Sequence, residues 1–396
     1  MESAPQTDSE PKVLDPDYDL IIEESLARNE YPAAKIEAAN ASDHTCLAAR
    51  FCTPEIWNKY KDLKSSGPAK WTLARAINSG IMYPESFVGC HAGDRESYDE
   101  FSEFFYPVIE AYHKGFSMQT GFTLQGSAAE RMDPSKINVE LSESAQAKIV
   151  STRIRIARNL TMFPLNPGGT RESREDIAAL MQQVYDGLEG DLAGQLYLHT
   201  TMSDEQRQAL IDGHQLFRGK DRMQAASGYH EHWPHGRGVF LNPDKTFVNW
   251  VNEGDHLRII SMNNGGDVRA VFAKLAAGAK AIEDGVRRVT KCEGEVFMMH
   301  PKFGAVTCCP SNLGTGMRGS VHIMVPKLIA SIGFEAIDKL ARELNCQARG
   351  SSGEHSAVVD RIDISNWRRI GYPEYELVQD MINCANFLAA KEDELP

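Results

Sequence analysis

The sequence predicts an α+β protein, with a small all-helical N-terminal domain ahead of a larger C-terminal domain holding a mostly antiparallel sheet flanked by helices. Three observations lead there. Helical periodicity dominates from Ala33 to Lys114. Beyond residue 146 the strand-like runs follow one another through short turns, as at Asn252-Glu253-Gly254-Asp255, with no regular alternation of strand and helix. At 396 residues the chain exceeds the usual size of one domain.

Taken in order, residues 1–32 read as an acidic flexible extension, because Asp8, Glu10, Asp15, Asp17, Asp19, Glu23 and Glu24 face few bases and little amphipathic pattern. Residues 33–116 read as the helical domain, with Thr53 and Ser97 at helix starts. Residues 117–146, polar and carrying Gly126-Ser127 and Asp133-Pro134, read as an interdomain linker able to act as a hinge. Residues 147–396 read as the catalytic domain. Within it Lys148–Ala157, Thr246–Asn252, His256–Met262, Gly304–Cys308 and Val321–Val325 are expected strands. Arg174–Gly187, Asp204–Gly213, Val268–Val286 and Tyr375–Ala390 are expected helices.

Composition limits the function. The net charge of −13, with no compensating basic tail or helix face, argues against nucleic acid or an anionic membrane as partner. No apolar run approaches the roughly 18 residues of a membrane span. Eight cysteines without metal-ligand spacing fit reduced thiols, and the N-terminus has neither a basic–apolar leader nor transit-peptide character, so a cytoplasmic location is expected.

Chemistry concentrates in a few segments. Cys309-Pro310-Ser311-Asn312-Leu313-Gly314-Thr315-Gly316 puts a cysteine on a polar loop, where the Ser311 hydroxyl is placed to favour a thiolate. In Ser151-Thr152-Arg153-Ile154-Arg155 a period of two puts Arg153 and Arg155 on one strand face, with Ile154 and Ile156 toward the core. Arg258, Arg318 and Arg349 also lie on strands or beside glycine turns. Five such arginines in an acidic protein point to a polyphosphate, whose oxygens a guanidinium holds bidentately. There is no P-loop. Gly314–Gly319 matches Gly-x-Gly-x-x-Gly but leads into a strand where a dinucleotide site needs a helix, so the Rossmann reading is rejected. His214 and His322 are candidate base or phosphate contacts.

These segments, together with Trp250–Arg258, Arg349–His355 and Asp363-Ile364-Ser365-Asn366, resemble the phosphagen (ATP:guanidino) kinase family from about Ala41 to the C-terminus, and the arginine kinase branch most. The resemblance implies two domains closing over MgATP and a small free guanidine, with reversible transfer of the γ-phosphoryl group to a guanidino nitrogen. It implies ATP or ADP contacts from Ser151, Thr152, Arg153, Ile154, Arg155, His214 and Arg258. Further nucleotide contacts are implied at Arg318, Gly319, Ser320, Val321, His322, Arg349, Gly350, Ser351, Ser352, Gly353 and Asp363. Glu253 and Asp255 would orient water around Mg2+. Cys309 and Glu354 would hold the guanidinium, with Glu253 as a further catalytic carboxylate. Phe87, Val88, Gly89, Cys90 and His91 form the implied acceptor loop, and Glu85 with Arg222 matches an interdomain latch. A monomer or homodimer fits equally.

Two positions depart from the family pattern. Gly254 stands where its second glutamate, the guanidinium partner and base, is expected, so a catalytically impaired nucleotide-binding homologue is the alternative, and Gly254→Glu is expected to raise activity. Phe87 and His91 replace a glycine and a tyrosine of the acceptor loop. Arginine is the default acceptor, with taurocyamine and lombricine kept open.

Overall fold

A computed structural model describes residues 16–119, 126–219, 221–350 and 360–396. The N-terminal part holds helices α1 (Pro16–Ala27), α2 (Ala33–Ala41), α3 (Leu47–Phe51), α4 (Pro54–Tyr60), α5 (Leu73–Ala76), α6 (Asn78–Met82), α7 (Ser97–Glu100) and α8 (Ser102–Tyr112). Thr53 caps α4 through the Ile56 N–H, as its position before Pro54 predicts. Aromatics set this core: Trp57, Trp71, Tyr98, Phe101, Phe104 and Phe105 are all buried.

Helix α1 corrects the expected extension. Ile22 and Ser25 are buried, and Arg28 donates to the Ala74 carbonyl and the Asn78 side chain, tying α1 to α5 and α6. An acidic composition concealed one buried apolar side chain, Ile22, and a polar anchor at Arg28, which together dock the short helix while Leu20 and Leu26 stay exposed.

The C-terminal part contains α9 (Ala128–Arg131), α10 (Glu143–Lys148), β1 (Ile149–Arg158), α11 (Arg171–Tyr185), β2 (Gln195–Leu198), α12 (Asp204–Asp212), α13 (Arg222–Ala226), β3 (Gly238–Leu241), β4 (Phe247–Val251), β5 (Leu257–Asn264) and α14 (Val268–Thr290). It continues with β6 (Met299–His300), β7 (Gly304–Ala305), β8 (Met317–Met324), α15 (Pro326–Ile332), α16 (Phe334–Glu343), β9 (Cys346–Gly350), β10 (Arg361–Asn366) and α17 (Glu374–Asp393). Eight strands form one sheet in the order β2-β3-β4-β5-β1-β8-β10-β9, every pair antiparallel. β6 and β7 pair separately, so the expected strand at Gly304–Cys308 ends after two residues. β2, β3, β9 and β10 and helices α15 and α16 are elements the sequence reading did not place.

Helices α14 and α17 cover one sheet face, packing Val271, Phe272, Leu275 and Ile282 from α14 and Val378, Met381 and Leu388 from α17 onto Ile154, Ile156, Val321 and Ile364. Burying this stripe, at about 25 cal/mol per Å² of apolar surface, holds the sheet rigid and leaves its other face for a site. From Asn138 to Ser144 the segment read as a linker is docked: the Asn138 N–H donates to Gln379, the Ser142 N–H to Asn386 and the Ser144 hydroxyl to Asp393, all on α17.

Candidate active site

Strands β5, β1 and β8 are adjacent, so their outward residues converge. Arg155 stands opposite Arg318 across the β1–β8 pair, and Arg258 stands opposite Ala157 on the other side of β1. The Arg153 guanidinium lies 5.6 Å from the centre of the Trp250 ring, whose indole N–H donates to the Gln215 carbonyl at 2.7 Å. Arg318 pairs with Asp363, which faces Arg349 across the β10–β9 ladder.

This crowd of like charges is under-compensated. Burial, then Arg258, Arg153 and Arg318, hold the Arg155 guanidinium well below its ordinary value. Arg153 is drawn down to about 10 by burial, Arg258 and Arg318. Burial opposes the charge on Arg258 too, but Glu253 and Asp255 outweigh it and raise that group. A polyanion laid over this face relieves the repulsion and takes bidentate bonds from the forks.

The carboxylates come from the β4–β5 turn. Asn252, at φ 56°, donates from its amide to the Arg174 and Gly236 carbonyls and so fixes the turn. Glu253 lies 3.1 Å from Arg258 and accepts from Gln224. Asp255 is 1% exposed and accepts from the Asn159 amide and the Cys308 N–H, both at 2.8 Å. Two fixed carboxylates beside the arginine face are of the chemistry that suits a hydrated divalent cation.

The Cys309 loop is braced by the helical part. The Ala92 N–H donates to the Cys308 carbonyl at 2.8 Å, the Tyr98 hydroxyl to the Thr307 carbonyl at 2.8 Å, and the His113 ring meets the Pro310 carbonyl at 2.8 Å. Gly314, at φ 102°, lets the loop pass so close to Arg369 that a β-carbon there would lie 2.3 Å from its carbonyl oxygen. The Cys309 sulfur lies 3.1 Å from the Ser311 hydroxyl, the contact read from the sequence. Burial nonetheless pushes this thiol up, and Ser311 and Arg369 only partly oppose it. The free protein therefore holds a thiol, and the expected thiolate needs a cation beside it.

The acceptor loop joins α6 to this wall. Phe87, at φ 59° and exposed, and Val88 accept at their carbonyls from the Leu47 and Ala48 N–H groups, and the Gly89 carbonyl accepts from Gly80. Cys90 is buried with Cys309 among the groups acting on it, and the His91 ring is 3.2 Å from the Ser79 hydroxyl. Arg222 donates to Glu85 at 2.7 Å, bridging the two parts of the chain.

A profile of the ATP:guanido phosphotransferase N-terminal domain matches residues 42–110, and one of the C-terminal catalytic domain of that family matches residues 176–395. An arginine kinase of Penaeus vannamei is 40% identical over 349 residues, covering 88% of this chain and 92% of that protein. The chain belongs to the ATP:guanido phosphotransferase family. An arginine kinase of Anthopleura japonica is 39% identical over 376 residues, 91% of this phosphotransferase, which spans 50% of that longer protein's length. A crystal structure of lombricine kinase superposes with a TM-score of 0.80 at 33% identity, covering 90% of this chain and 95% of the other. The duplicated taurocyamine kinase of Schistosoma mansoni gives 0.81 at 30% identity, over 92% of this chain and 49% of the other.

Not every expected residue reaches the site of this phosphotransferase. Thr152, Ile154, Gly319 and Val321 alternate onto the helix-covered face: Thr152 bonds the Gly265 carbonyl, and Gly319 packs near Met381. The side chains of Thr152, Ile154 and Val321 therefore turn away from the arginine face, and Gly319 has none. Ser151, Ser320 and His322 lie on that face, with Ser151 and His322 3.1 Å apart. His214 is exposed beyond α12, next to the Gln215 carbonyl that anchors Trp250. Gly350 ends β9. Ser351, Ser352, Gly353, Glu354 and His355 lie outside the described residues. Asn159 and Gln224 were missed, because each acts through folding contacts and stands in no motif. No helix among the described residues is long and apolar enough to cross a membrane.

Proposed function

We propose that the chain transfers the γ-phosphoryl group of ATP, reversibly, to a guanidino nitrogen of a small free guanidine, with arginine as the default acceptor and a cytoplasmic role in buffering ATP. The observation that carries this is the meeting of the β1–β5–β8 arginine face with the Glu253–Asp255 turn and the Cys309 loop. The arginines hold the nucleotide phosphates. Glu253 and Asp255 would hold Mg2+ through water, and the ion would supply charge neutralisation to the nucleotide phosphates.

A guanidinium entering beside Cys309 stabilises the thiolate as it is itself fixed in line. The new N–P bond forms as the bond from the γ-phosphorus to the bridging oxygen breaks. ADP leaves with that electron pair, and one guanidinium proton passes to a carboxylate, Glu354 or Glu253. Positioning and charge compensation supply most of the rate. Gly254 favours one second reading, a nucleotide-binding homologue with weak transfer, since a glycine neither pairs with the guanidinium nor takes its proton.

The experiment offers purified protein with MgATP to arginine, taurocyamine, lombricine, glycocyamine and creatine, following guanidine-dependent ADP release with Cys309→Ala as control. Cys309-dependent turnover of one compound names the acceptor. Silence across the panel with nucleotide binding intact selects the second reading.

A further inference from the structure

The space beside Gly254 is tight on the side of Tyr229. A β-carbon at that position would stand 3.3 Å from Tyr229 Cε2, 3.7 Å from Tyr229 Cζ and 3.5 Å from Arg258 Nη2. Two of these three atoms belong to the hydroxyl end of the Tyr229 ring. A side chain at position 254 therefore needs the Tyr229 ring to give by a few tenths of an ångström, and the expected gain from Gly254→Glu alone depends on that movement.

Tyr229 is built in rather than caught there. Its N–H donates to the Gln224 carbonyl, its carbonyl accepts from the buried Arg237 fork, and Gly228 before it takes φ 95°, which a side chain would strain. The ring is 5% exposed and meets the His91 ring edge-on, with centroids 5.1 Å apart. Burial first, and then the charges of Cys308, Cys309, Asp255 and Glu253, hold its hydroxyl well above the ordinary value, and that hydroxyl has no hydrogen-bond partner among the described residues. One unpartnered phenol therefore stands against the carboxylate turn at Gly254 and the acceptor loop at His91.

We propose that the Tyr229 hydroxyl oxygen accepts a hydrogen bond from the guanidinium of the acceptor, in the place left by the absent carboxylate, and that Gly254 is the partner substitution that makes room for it. The inference rests on the guanidino-kinase reading of this site. A neutral phenol orients a guanidinium N–H but brings no negative charge, so it positions the acceptor and leaves proton acceptance to Glu354 or Glu253. Tyr229 and His91 together define one wall of the acceptor pocket.

The test measures calorimetric binding of the five guanidines in the presence of MgADP, and turnover, for the wild type, Tyr229→Phe, Gly254→Glu and the double variant Gly254→Glu/Tyr229→Ala. Nucleotide affinity of each variant reports folding. Tyr229→Phe, which keeps the ring, is expected to weaken acceptor binding and raise acceptor KM by roughly fivefold or more, with the ATP KM within about twofold of wild type. Gly254→Glu is expected to lose activity alone and regain it when Tyr229 is shortened. Unchanged acceptor KM in Tyr229→Phe, or a gain from Gly254→Glu equal to that of the double variant, overturns the proposal while leaving the kinase reading intact. Guanidine binding without turnover, weakened in Tyr229→Phe, sinks the kinase reading and supports the Tyr229 contact; no binding of any guanidine to the wild type overturns both.

Discussion

Arg155 and Arg318 face each other across the β1–β8 ladder, two cations at a register position that strand pairing alone disfavours. Asp363 compensates Arg318, but Arg155 meets Arg258, Arg153 and Arg318 with only Glu253 opposing them among its main influences. The sheet stores this repulsion because α14 and α17 hold it from behind, and an anion on the open face releases it.

Arg155→Met is accordingly expected to lower ADP affinity about tenfold or more, the equivalent of about 1.4 kcal/mol, while leaving the nucleotide-free melting temperature unchanged or higher. Titration calorimetry and thermal unfolding check the pair of results. A large drop in stability without nucleotide would show that Arg155 is paired in the free protein.

The contacts between the two parts of the chain differ in strength. The Glu85–Arg222 pair is half exposed on the arginine side, so Glu85→Gln is expected to cost under about 1 kcal/mol and to shift melting by no more than about 2 °C. Asn78 donates to the Ala226 carbonyl at 2.8 Å from a buried position, so Asn78→Ala is expected to cost about 1–3 kcal/mol. Differential scanning calorimetry of both variants decides the order, and equal shifts would contradict it.

Because burial holds the Cys309 thiol above its ordinary value, alkylation of Cys309 by iodoacetamide is expected to be slow at pH 7 and to accelerate as pH rises through and beyond the usual thiol range. Ser311→Ala removes the hydrogen bond that draws the thiol down, so it should move that rise to still higher pH. Mass spectrometry of the modified peptide reads both profiles.

Four buried histidines make the fold acid-sensitive. Burial lowers His113, His199 and His230 to about 3 and His256 to about 4, below the ordinary 6.5. The unfolded chain binds their protons first, so stability is full above pH 6.5 and is lost as pH falls from 6.5 toward 4, by up to about 1.4 kcal/mol per histidine per pH unit. Urea midpoints at pH 7.5 and 5.5 should differ strongly, and His113→Gln should flatten the slope by about one proton.

The alternation of Ser151–Arg155, the turn at Asn252–Asp255 and the polar Cys309 loop were legible because each is a local pattern: a period of two, a turn composition, a thiol two residues from a hydroxyl. The arginine face and the Cys309–Ser311 contact followed from them, while the fold class followed from the helical periodicity of Ala33–Lys114 and the run of strands joined by short turns. The same period also separates Arg153 and Arg155 from Thr152 and Ile154, which a contiguous motif had grouped together and only sheet burial parts. Short strands such as β2 and β3 escaped, since four residues carry too little pattern until neighbours supply their hydrogen bonds. Tertiary structure alone placed α1 on α5 and α6, brought Asn159 to Asp255 across 96 positions of chain, and set Tyr229 against Gly254. Those contacts join residues distant in sequence, and their energy comes from excluded water and complementary shape, which no local pattern encodes.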